Sequence, residues 1–173
     1  MGIVDKLQAQ IAVFQDFRDN RSAYLADILS DRQNELLGRQ KDQLASGQDS
    51  YGNDLIPLYT QDLKPGGYFK TKESATRYMH KKLSIKVPVN YVQLPRNDDA
   101  PNLYWNGKFH SEITVDISSE IIDFTGATGY ANNIIDKYGH DKFGLNETFW
   151  RMVMENGVID EIIRKIRNGL EPI

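Results

Sequence analysis

Apolar positions at the start of the chain recur every three or four residues. Ile3, Leu7, Ile11, Phe14 and Phe17 begin the pattern, and Leu25, Ile28, Leu29, Leu36 and Leu37 extend it to about residue 45. One continuous helix over 3–45 would run roughly 60 Å. Alternatively, Ser30-Asp31 caps a second helix from about Arg32, giving a hairpin or a kink. In either case one end of the region is expected to project as an arm. Helix ends by Gly47, before turn chemistry at Tyr51-Gly52-Asn53-Asp54. Leu55 to Tyr59 reads as an edge or irregular strand, because Pro57 has no N–H to donate. Thr71 offers an N-cap to a helix that carries Ala75, Tyr78, Met79 and Leu83 on one face.

Prolines 88, 95 and 101 punctuate an extended loop over 85–102. Strand signals resume at Tyr104. Ile113, Val115 and Ile117 alternate with Glu112, Thr114 and Asp116, a half-buried strand. Ser118-Ser119-Glu120 turns the chain, and Ile121 to Phe124 returns it as a hairpin partner. A short helix over 130–138 ends at Gly139. Asn146 caps a C-terminal helix in which Gly157 marks a kink, Arg164, Lys165 and Arg167 suit the last turn, and Gly169 is the stop. The sum is one α+β domain over 1–173. It has a long N-terminal helical region, a small antiparallel sheet and flanking helices, including a C-terminal one.

Composition narrows the classes. With 173 residues, 40% of them hydrophobic, 26% charged and a net charge of −3, the chain has the balance of an ordinary soluble domain. No apolar run is long enough for a membrane span, and the first residues lack the apolar centre of a signal peptide. Synthesis inside the cell is the expectation. Without cysteine there is no disulfide, thiolate metal site or thiol nucleophile. His80, His110 and His140 are scattered over an expected helix, strand and loop, with no metal-ligand spacing. Neither a nucleophile elbow nor a phosphate loop is present. The oxygen-rich turns at 49–54 and 136–141 miss the calcium-loop spacing, and Asp98-Asp99 reads as a solvated turn rather than an acid–base pair. No catalytic residue, metal or cofactor is expected, and no enzyme.

One local bias stands against the overall charge. From Lys64 to Arg96 lie eight cations, Lys64, Lys70, Lys72, Arg77, Lys81, Lys82, Lys86 and Arg96, against the single acid Glu73. Tyr68, Phe69, Tyr78 and Tyr91 are interleaved. Such a segment suits nucleic acid or an acidic protein surface, or it is a basic solvated helix face.

Several spaced motifs resemble a known group. They are Gln43-Leu44 with Gly47, Asp49 and Gly52; Tyr68-Phe69-Lys70-Thr71 with Ser74-Ala75 and Arg77-Tyr78; Pro101-Asn102-Leu103-Tyr104 with Gly107-Lys108-Phe109-His110; and Lys137-Tyr138-Gly139 with Phe143-Gly144-Leu145. Together these resemble small virion proteins of tailed phages and prophages of gut Bacteroidetes, including the crAss-like group. The middle of the chain is also similar in plan to tail-completion and head–tail joining proteins. There, a glycine-led entry to a hairpin corresponds to Asn106 through Ile113, and an aromatic–glycine helix end to Tyr130-Ala131 through Tyr138-Gly139. The proline-rich 85–101 segment and the C-terminal helix depart from that group. The resemblance implies a non-enzymatic virion protein, made in the bacterial host. Its partners would be further copies of itself in a ring and neighbouring portal, neck or tail proteins, near DNA in the channel but with no membrane. Residues 1–45 and 85–102 would serve as clasping arms, and Gly107, Gly139 and Gly144 as shape residues. The other reading is a phage nucleic-acid accessory protein that binds DNA through the basic 64–96 segment.

Overall fold

The computed structural model describes residues 2–63, 68–126 and 129–169. The chain is α+β. Helix α1 (Ile3–Ser30) starts where the Asp5 carboxylate accepts the Gly2 N–H at 2.8 Å, and it stops short of the turn at Asp31-Arg32. Helix α2 (Gln33–Ala45) follows, so the helical region is broken after Ser30, but Ser30-Asp31 does not cap α2: its N-cap is Arg32, which makes no side-chain cap bond. No helix among the described residues is long and apolar enough to cross a membrane.

The two helices differ in what surrounds them. Only Ile28 and Leu29 of α1 are buried. In α2, Glu35, Leu36, Gly38, Arg39, Gln40, Asp42, Gln43 and Leu44 are all buried. The expected 1–45 arm therefore divides: α2 belongs to the interior, and the open part is the N-terminal half of α1.

Three interior polar side chains of α2 are occupied by loop backbone, and buried Glu35 pairs with Arg39. Gln40 accepts the Gly144 N–H at 2.9 Å and donates to the Lys142 carbonyl at 3.0 Å. Gln43 accepts from the Asn146 N–H at 2.8 Å and donates to the carbonyls of Asp49 and Gly144. The Asp42 carboxylate accepts the N–H groups of Asn90, Tyr91 and Val92 at 2.6–2.9 Å. That last clamp holds the 85–102 segment, which contains no helix or strand, along α2.

Residues 55–59 form no strand. The Ile56–Pro57 peptide is cis, and the nearby bridges, Gln48 with Asp54 and Leu63 with Phe69, lie outside this stretch. Helix α3 (Lys72–Leu83) has the expected cap: the Thr71 hydroxyl accepts the Ser74 N–H at 3.2 Å. Residues Lys108–Ser111 form one helical turn, α4, where strand signals were read, so His110 sits in a helical turn and not on a strand.

Strands β1 (Ile113–Ile117) and β2 (Ile122–Gly126) make an antiparallel hairpin in which Val115 faces Phe124 and Thr114 faces Thr125. Val115 and Phe124 are buried, whereas the two threonine hydroxyls pair at 3.0 Å on the outer side. A lone two-stranded sheet is marginal in water. This one is covered by Ile28, Leu29, Leu36, Phe149, Val153 and Val158, which form the main apolar core. A second cluster gathers Leu44, Leu55, Phe109, Ile113 and Ala131.

Helix α5 (Gly129–Tyr138) ends at Gly139, whose N–H donates to Ile135 at 2.8 Å. Helix α6 (Glu147–Val153) starts at Asn146, whose side chain accepts the Phe149 N–H. A π-type segment, Met154–Val158, breaks the path at Gly157 (φ +98°), and α7 (Ile159–Gly169) continues in a new direction. α7 returns along α1, with Lys165 paired to Asp27 and Gly169 against Val13.

Candidate interaction surface

α3 organises the basic segment. Ala75, Tyr78 and Met79 face Tyr59 and Phe69 in a third apolar cluster, which leaves the polar side outward. Lys70, Lys72, Arg77, Lys81 and Lys86 are exposed. Lys82 and Arg96 do not share that surface. Lys82 is buried, with its ammonium donating to the Tyr104 carbonyl, and burial together with nearby Arg96 lowers its pKa to about 8. Arg96 is half-buried and donates to the Ala100 carbonyl at 2.9 Å. Lys64 lies outside the described residues. Of the eight cations, then, five are exposed, with Arg77 and Lys81 on one side of α3, and two are tied to the backbone of residues 100–104.

Beside this face stands a group of rings that the sequence reading only partly collected. Tyr78 stacks on Trp105 (centroids 5.8 Å apart, planes 3° apart) and meets Tyr68 edge-on at 5.5 Å. The Lys81 ammonium lies 5.0 Å from the Trp105 ring centre. The rings line a cavity of about 450 Å³ together with Asn133, Ile134 and Lys137 of α5. Lys137 pairs with Asp62 across its rim. Nothing in sequence tied Trp105 or Lys137 to this surface, because they come from separate segments that only folding brings to α3.

The three glycines all have the left-handed backbone expected of shape residues: φ is +81° at Gly107, +76° at Gly139 and +102° at Gly144. Gly107 precedes α4, and a Cβ there would meet the Tyr104 hydroxyl at 3.3 Å. Gly144 offers both its N–H and its C=O to the amides of Gln40 and Gln43. His110 is buried between Tyr104 and Phe109, and burial lowers its pKa to about 4. Asp49 closes its own turn by accepting the N–H groups of Tyr51 and Asn53, and Asp99 accepts the Thr60 N–H. Among the described residues no group of three or more His, Asp or Glu side chains is placed to hold a metal ion.

A second surface lies on α1, within the region expected to project as an arm. Ile3, Val4, Leu7, Ile11 and Phe14 of α1 are 49–75% exposed. Val4, Leu7, Ile11 and Phe14 follow the three-four spacing of a helix–helix seam. Gln8, Gln10 and Gln15 flank the seam, so its edges are polar but uncharged.

No family model, no curated protein and no solved structure matches the chain.

Proposed function

We propose that the chain is a structural subunit of a tailed-phage virion, forming a ring in the portal–neck–tail assembly through contacts between subunits. The observation that carries this reading is the open apolar seam on α1. Large apolar side chains in a continuous exposed row mark a protein contact. A helix whose base is anchored in the core and whose far half is bare is built to engage a neighbour. The resemblance of the spaced motifs to those of small neck and tail proteins suggests the kind of assembly. The interior agrees with a scaffold role, since its polar groups are spent on holding loops in place.

The test is complementation with a seam variant. Cells carrying a phage that lacks this gene and expressing Phe14→Glu should accumulate unjoined heads and tails, while the wild-type chain restores joined particles. Normal yields of infectious particles with the variant would count against a joining role for the seam.

A further inference from the structure

Tyr78 packs into the third apolar cluster, whereas the two rings beside it stay open to solvent. Tyr68 is 74% exposed and Trp105 42% exposed, on either side of Tyr78. A core needs no such rings at its surface, and a merely solvated helix face needs none beside its lysines. The outward cations Arg77 and Lys81 are four apart on one side of α3, and Lys70 follows directly on Tyr68-Phe69. Glu73, in the first turn, is the only acid on the helix. Flat apolar faces set within a positive field suit a ligand that has flat faces and regular negative charge.

We propose that this surface binds single-stranded nucleic acid, with unpaired bases stacking on Tyr68 and Trp105 and backbone phosphates meeting Lys70, Arg77 and Lys81. Aromatic platforms joined to a basic track are the common means of holding an unpaired strand without reading its sequence. The cavity lined by the rings has the volume for a base, and the Asn133 side chain in its lining carries both a donor and an acceptor. A duplex keeps its base faces stacked inside, so it would use the cations alone. A proline-rich peptide would use the rings but gains nothing from three cations. This assignment is independent of the ring proposal.

The test is fluorescence anisotropy of the whole chain with labelled oligothymidine, oligouridine, a duplex of the same length and a proline-rich peptide. The single strands should bind and the duplex should bind more weakly. With three phosphate contacts the affinity should fall with salt at a log–log slope of about −2. Trp105→Ala and Tyr68→Ala should each weaken strand binding roughly tenfold, without changing the salt slope. Arg77→Gln and Lys81→Gln, both at exposed positions, should each flatten the slope and leave the thermal melt unchanged. Three results would overturn the assignment: no strand retained at low salt, duplex bound as tightly as single strand, or strand binding unaltered in both ring variants. Binding of the peptide alone would reassign the surface to a protein partner and equally overturn it.

Discussion

The Arg32 guanidinium donates to the Asn156 carbonyl at 2.6 Å, and so joins the two places where the helical path is broken. Arg32 lies in the turn between α1 and α2, and Asn156 lies in the π segment between α6 and α7. Glu35 completes the latch by accepting from Arg32 at 3.0 Å and from the Asn156 amide at 2.9 Å. The junction aims α7 back along α1. It therefore determines how much of α1 is covered and how much of the apolar seam stays open.

Removing the latch should loosen α7 before the core. Arg32→Ala deletes charge-assisted bonds at a partly buried site, with an expected cost of about 2 kcal/mol in urea denaturation. Hydrogen exchange should rise first in α7 and in the middle of α1, with the β hairpin still protected.

The 85–102 loop should be held rather than free. Asp42→Ala leaves three N–H groups, those of Asn90, Tyr91 and Val92, without their acceptor, for an expected loss of about 3 kcal/mol. Limited proteolysis should cut within 85–102 in the variant well before it cuts there in the wild type. Equal cutting rates would show that the clamp does not govern the loop.

Much of the fold is legible in the order of residues, and the gaps have physical causes. The Thr71 cap, the alternation from Ile113 to Ile117, the stop at Gly139 and the break at Gly157 are local signals, and each sits where the pattern puts it. α2 is another matter. Gln40, Asp42 and Gln43 look like a solvated face, yet they are interior because their partners are loop backbones up to about a hundred positions away. Lys82 misleads in the same way, since its partner is the Tyr104 carbonyl. The α4 turn escapes notice because four residues are too few to show a helical period. The row Tyr68, Tyr78 and Trp105 is assembled from three segments, and only Tyr68 and Tyr78 lie within the stretch whose charge drew attention.

Acid should destabilise the fold through His110. Its folded pKa, about 4, lies below the ordinary 6.5, so between those values the unfolded chain binds a proton that the folded chain refuses. Stability from this group is complete above about pH 6.5 and declines as pH falls toward 4. Thermal melts from pH 7 to pH 4 should show a steeper drop for the wild type than for His110→Asn.

Gly107→Val should cost about 1–3 kcal/mol, because a β-branched residue is strained at a φ of +81°. Chemical denaturation would measure the loss. A variant as stable as the wild type would show that the turn into α4 relaxes without penalty.

The central claim is tested most directly by immunogold electron microscopy of purified phage particles, using an antibody raised against this chain. The account predicts gold confined to the head–tail junction or the tail. Particles that carry no label, whether intact or opened, would contradict a virion role.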